Sequence, residues 1–179
     1  MFIQAILSIL LLATYPERSV LGEIARPIFS DSLTVYVFLH DECKISQFYT
    51  PELTRLSKTY RSKKVGFVGY FPNASTSTER MDAFAKDYHI TFPLRADYSK
   101  ELTRKLGITI TPEVAVWDHR TEQQIYRGRI DDSYVRVGKR KTHPQQYDLV
   151  GIIEDWLTHP DPQLLVQTQA IGCFINFTD

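Results

Sequence analysis

Cysteine is scarce in this sequence. Two cysteines in 179 residues exclude a disulfide-stapled scaffold and a cysteine-rich structural zinc site. An excess of charge is also missing: 21 Lys and Arg stand against 21 Asp and Glu. That balance speaks against a general nucleic-acid binder, which carries a net basic surface. Eight glycines and nine prolines are too few for a collagen-like or low-complexity chain. There is no phosphate-binding glycine loop and no G-x-S-x-G elbow, and His89, His119, His143 and His159 lack zinc-protease spacing. With 43% apolar and 23% charged residues, the composition is that of a soluble globular protein. Its length suits one domain with a short appendage.

The N-terminus stands apart. Phe2 to Ala13 (FIQAILSILLLA) is almost wholly apolar and gives way to the polar Thr14–Ser19. About a dozen apolar residues cannot span a bilayer but match the core of a secretory signal. No lysine or arginine precedes the run and no A-x-A site follows it, so a buried N-terminal helix is the alternative. The expected organisation is a signal or apolar segment at 1–19, a domain at 20–160 and a tail at 161–179. No later run is long enough for a membrane span. The mature chain is therefore expected to be exported, to a periplasmic or other extracytoplasmic space, without an integral span. Otherwise it is cytoplasmic.

Beyond that segment, strand and helix patterns alternate. Leu33–Leu39 (LTVYVFL) and Val65–Phe71 (VGFVGYF) are rich in β-branched and aromatic residues and predict buried strands. Between them Leu53, Leu56 and Tyr60 recur at helical spacing over 46–61, with Pro51 inside. Thr76 and Glu79 form a capping-box pattern ahead of a helix carrying Met81, Phe84, Ala85 and Tyr88 on one face. A short strand at 92–96 and a short helix at 99–106 follow. EVAVWD (113–118) and QQIYRGR (123–129) read as a hairpin. A basic polar loop is expected at 131–143, a closing helix at 144–157 and a strand-like tail at 164–177. The predicted class is α/β, a sheet covered on both faces.

Cys43 is the sharpest local feature. It lies between a predicted buried strand and a predicted helix, in HDECKIS (40–46). A cysteine at a helix N-terminus faces unpaired N–H groups and the positive end of the helix dipole. Both favour the thiolate and can lower a thiol pKa from about 8.5 to roughly 3.5–7.5. Lys44 adds positive charge, while Asp41 and Glu42 oppose it. The competing reading is a buried, inert cysteine.

The order of these features resembles the thioredoxin fold in its redoxin form, the AhpC/TSA peroxiredoxin-like superfamily. The resemblance runs from Val35 to Asp132. It rests on VYVFLHDEC ending a strand, Cys43-Lys-Ile-Ser46 opening a helix, Pro51 eight residues after Cys43, Ile110-Thr111-Pro112-Glu113 before a strand, and YRGRIDD after the hairpin. It implies a thioredoxin-like fold with a central mixed sheet, flanking helices and a C-terminal extension. It also implies Cys43 as the attacking thiol of a thiol-disulfide oxidoreductase, and Thr111 with a cis Pro112 as the platform beside it. A partner protein's thiol or disulfide would dock there, with no cofactor.

Three departures shape the expectation. Ser46 stands where thioredoxins carry their second active-site cysteine. Tyr36 and His40 stand where peroxiredoxins carry proline and threonine or serine, which argues against a peroxidase. Cys173, in AIGCFI (170–175), could supply the missing thiol, because a mixed disulfide needs a second thiol to resolve it. The competing reading is a small core residue far from Cys43. A second reading takes His40, Cys43 and Cys173 as copper ligands in the manner of Sco proteins. In those proteins the second cysteine falls where Gln47 stands here. A third keeps the fold as a non-catalytic interaction module. Two weaker features complete the sequence: the basic run with Arg136, Lys139, Arg140 and Lys141, which reads as a solvated loop, and glycosylation sequons at Asn73 and Asn176.

Overall fold

A computed structural model describes residues 33–159 and 164–178. The 1–19 segment and its expected export signal lie outside the described residues. No helix among the described residues is long and apolar enough to cross a membrane.

The centre is a six-stranded mixed sheet in the order β3-β2-β1-β5-β6-β9. β1 (Leu33–Phe38) runs parallel to β2 (Val65–Phe71), and β2 parallel to β3 (Leu94–Ala96). β5 (Glu113–Asp118) lies antiparallel to β1 on its other side, and β6 (Gln123–Gly128) antiparallel to β5. β9 (Val166–Gln167), from the tail, closes the far edge parallel to β6. Two small ladders lie outside this sheet. β4 (Ile110–Thr111) pairs antiparallel with β10 (Cys173–Phe174), and β7 (Tyr134–Arg136) with β8 (Lys139–Arg140).

The strand period of two sorts the sheet's side chains into two cores. Leu33, Val35 and Val37 of β1 join one cluster with Ile45, Tyr49, Leu53 and Leu56 of α1 (Lys44–Tyr60). Met81 and Phe84 of α2 (Thr78–Asp87) belong to that cluster, as do Leu149, Ile153 and Trp156 of α4 (Asp148–Thr158). Tyr36 and Phe38, the alternate residues of β1, face the opposite cluster with Leu102 of α3 (Glu101–Lys105) and with Ile175 of the tail. Helices thus cover both faces, and the tail supplies part of the second core.

Three local expectations are corrected. The cap of α2 is Ser77, whose hydroxyl oxygen accepts the Arg80 N–H, because the Thr76 hydroxyl donates to Asp41 Oδ1 instead. The expected loop at 131–143 holds the β7–β8 ribbon. The closing helix starts at Asp148, not at Pro144: the Gln145 and Gln146 N–H groups donate to Asp132 Oδ1, at 2.7 and 3.1 Å, and Tyr147 is exposed.

Asp132 also pairs with Lys141 across the ribbon. The Lys141 ammonium first, and the two amides after it, outweigh the opposing effect of desolvation and hold its carboxyl at about 2, below the ordinary 3.8. A depressed carboxylate pKa contributes stability in full above the unfolded value and loses it as pH falls through the folded value. The Gln145 and Gln146 amide resonances are therefore expected to titrate with a midpoint near 2. A midpoint at the ordinary carboxylate value would show that Asp132 holds neither amide.

Candidate active site

Cys43 is the N-cap residue of α1, in extended backbone geometry immediately after the buried β1 strand. Its carbonyl accepts the Gln47 N–H at 2.9 Å, the first bond of the helix. The first turn holds no acidic residue, so nothing on the helix itself offsets the positive end of its dipole near the sulfur. Ser46, one turn on, is fully buried. Its hydroxyl oxygen accepts the His40 N–H at 3.3 Å, which ties the strand-to-helix loop down. Gln47 adds a second tie, donating from Nε2 to the Asp41 carbonyl at 2.6 Å.

The two acidic residues of that loop share one cation, Arg80. Asp41 pairs with Arg80 and accepts the Thr76 hydroxyl, and Glu42 pairs with Arg80 at 2.7 Å. Burial alone would push the Asp41 carboxyl up, but the Thr76 hydroxyl and the Arg80 guanidinium outweigh it and hold the pKa below the carboxylate range. The His40 ring lies 3.7 Å from Asp41 Oδ1 and 3.4 Å from Ser75 Oγ. Among the described residues no group of three or more His, Cys, Asp or Glu side chains could hold a metal ion.

Cys43 and Cys173 are joined in a disulfide, with Cα atoms 6.1 Å apart and a sequence separation of 130. Cys43 is 1% exposed and Cys173 half-buried. The peptide between Thr111 and Pro112 is cis, and the Thr111 carbonyl oxygen lies 3.2 Å from Cys43 Sγ. Once the bond is reduced, that oxygen can accept the thiol proton. The carbonyl thus favours the thiol and opposes the helix end, which favours the thiolate. The structure therefore brings Cys43, Cys173, Thr111 and Pro112 to one place, with Ser46 one helical turn behind.

The tail reaches the site through a chain of contacts that sequence patterns do not announce. β9 pairs with β6, and Thr168 Oγ1 accepts the Arg129 N–H at 3.1 Å. Cys173 stands opposite Thr111 in the β4–β10 register, and the Thr111 hydroxyl donates to the Cys173 carbonyl at 3.4 Å. Ile175 is buried in the second core, and its N–H donates to the Thr109 carbonyl. The Asn176 N–H donates to Asn73 Oδ1 at 3.2 Å. Asn73 is itself buried, so this sequon position serves as an anchor for the tail. Beside the tail lies an open cleft of about 710 Å³, lined in part by Ile110, Glu113, Arg127, Arg136, Gly172 and Phe174.

The YRGRIDD segment, already noticed in the sequence, supports this arrangement from below. Asp131 Oδ1 accepts the Tyr49 hydroxyl at 2.6 Å and the Ser133 N–H at 2.8 Å, tying α1 to the loop after β6. Burial first, and the Asp131 carboxylate second, drive the Tyr49 phenol upward, so it stays a proton donor at every working pH. Tyr49, Asp131, Pro112 and Ile171 line one small cavity, so the loop bears on both the Pro112 platform and the tail.

Comparison with known proteins concerns the fold. No protein-family model and no curated protein matches the sequence, so nothing carries the finer redoxin assignment. An uncharacterised conserved protein from Geobacillus kaustophilus is similar at 28% identity and a TM-score of 0.70, over 83% of this chain and 79% of that one. A hypothetical protein from Sinorhizobium meliloti 1021 is similar at 24% identity and 0.69, over 83% and 81%. The thioredoxin domain of a thiol-disulfide oxidoreductase from Bacteroides vulgatus is similar at 13% identity and 0.53, over 72% and 81%. The chain has the thioredoxin fold. Cys43 sits at the N-cap of the first helix, but its partner comes from the C-terminal tail instead of the next helical turn, where Ser46 stands.

Proposed function

We propose that this protein is a two-cysteine thiol-disulfide exchange protein in which Cys43 attacks and Cys173 resolves. The observation that carries the reading is the Cys43–Cys173 bond at the first helix's N-terminus, beside Thr111 and Pro112. In the reduced protein the Cys43 thiolate attacks one sulfur of a partner disulfide. A bond forms between Cys43 and that sulfur, and the partner's other sulfur leaves as a thiolate that takes up a proton. Cys173, deprotonated in turn, attacks Cys43 Sγ. The partner sulfur bonded to Cys43 is expelled as a thiolate that takes up a proton, and the disulfide seen here forms. Two electrons have then passed from the chain to the partner. A thiol reductant returns them by the reverse steps, and the direction in the cell is set by the relative potentials.

The partner is a protein thiol or disulfide, and the open cleft beside the tail, next to the Thr111–Pro112 peptide, is the surface that receives it. An exported location accords with a stable disulfide, since such bonds persist in oxidising compartments. The test joins two measurements. Mildly oxidised protein, with free thiols blocked and peptides mapped by mass, is expected to carry the intramolecular Cys43–Cys173 link. The same protein is expected to speed reduction of the disulfides of a model protein such as insulin by dithiothreitol. Two free thiols after mild oxidation, or no acceleration, would sink the reading.

A further inference from the structure

Gly172 precedes Cys173 and carries no functional group. Its φ lies outside the left-handed region, so backbone conformation does not demand a glycine there. Space does. A Cβ at 172 would lie 2.2 Å from the Thr111 carbonyl oxygen, 2.7 Å from the Thr111 carbonyl carbon and 3.2 Å from the Pro112 nitrogen. All three are backbone atoms, so no rotamer change can relieve the overlap. The same Thr111 oxygen lies 3.2 Å from Cys43 Sγ. A side chain at 172 must therefore displace either the tail or the peptide that faces the reactive sulfur.

We infer that Gly172 is a positioning residue for the Cys43–Cys173 exchange: its bare backbone lets the tail lie on the Thr111–Pro112 peptide in the register that delivers Cys173 to Cys43. This inference rests on the exchange reading above. The tail's other attachments fix its course but not this fit. β9 is held at the sheet edge, and Ile175 in the second core. Between those anchors, residue 172 crosses the platform at a distance only glycine tolerates. Gly151 supplies a matched control, because a Cβ there meets nothing within 4 Å.

The experiment equilibrates the full-length wild type, Gly172→Ala and Gly151→Ala in buffers of varied reduced and oxidised glutathione. The Cys43–Cys173 bond is then quantified by thiol blocking and mass spectrometry. In this equilibrium one oxidised glutathione is reduced to two glutathione thiols as the protein dithiol becomes a disulfide. Gly172→Ala is expected to need a ratio at least about tenfold more oxidising, a shift of about 30 mV, with glutathione left attached to Cys43. Gly151→Ala is expected to match the wild type. A loss of stability shared by the reduced and oxidised forms leaves this ratio unchanged, so the readout separates positioning from general support. Should Gly172→Ala fail to fold, a glycine inserted between Gly172 and Cys173 adds no side chain. It shifts the register by one, turning Cys173 to the other side of its strand, and is expected to abolish the bond. A wild-type ratio in Gly172→Ala, or in the insertion variant, overturns the inference while the exchange reading stands. Absence of the bond in the wild type defeats the exchange reading itself.

Discussion

Cys43→Ser is expected to remove disulfide exchange altogether, whereas Cys173→Ser stops the cycle halfway and leaves a covalent adduct. The difference follows from where each sulfur sits. Cys43 is held at the N-cap of α1, between the helix end and the Thr111 carbonyl, and with serine there no nucleophile remains at that place. Cys173 arrives on a two-residue strand paired with β4. Without its sulfur, Cys43 can still attack a partner disulfide, but nothing expels the partner from the mixed disulfide. Incubation of each variant with an oxidised protein substrate, followed by non-reducing electrophoresis, reads both outcomes. Cys173→Ser should give a band at the summed mass that disappears with dithiothreitol, and Cys43→Ser should give none. Equal turnover by Cys43→Ser and wild type would end the proposal for Cys43.

Reduction of the disulfide is expected to cost the fold about 2–4 kcal/mol, the usual range for such a bond. The bond closes a loop of 130 residues, for which chain entropy alone sets a ceiling of roughly 5 kcal/mol. Other attachments of the tail, the β6–β9 pairing and the burial of Ile175 among them, also resist its release. Urea unfolding with and without dithiothreitol measures the difference. The Cys43→Ser/Cys173→Ser double variant should unfold at the reduced protein's midpoint and ignore the reductant. If oxidised and reduced wild type share one midpoint, the crosslink contributes nothing to stability.

The central strands are legible because their chemistry is local: LTVYVF and VGFVGYF combine β-branched and aromatic residues with no breaker between. The hairpin β5–β6 and the helix following Cys43 are legible for the same reason. The errors arise where a distant residue takes over a local group. Thr76 looks like a cap, but its hydroxyl is engaged by Asp41, 35 positions away. Pro144–Tyr147 looks like a helical turn, yet Asp132 draws off two of its amides. The polar run after Asp132 looks like a loop because β7 and β8 expose most of their side chains. At the site, Cys43 announces itself through its strand-to-helix position. Cys173 could be named from the sequence but not placed, since its proximity depends on the tail's whole course. Gly172 gives no signal at all, because the atoms that require a glycine belong to residues 111 and 112.

The distance along the chain between the two sulfurs also sets an order of events during synthesis. At roughly 5–20 residues per second, the ribosome takes on the order of ten seconds to pass from Cys43 to Cys173; β1 precedes Cys43, and the other strands of the six-stranded sheet, the β9 edge included, are made in that interval. The crosslink therefore fastens a sheet that is already largely present and does not guide its assembly. Throughout that wait Cys43 is a solitary thiol, and with only two cysteines in the chain any premature bond it forms must be to another molecule.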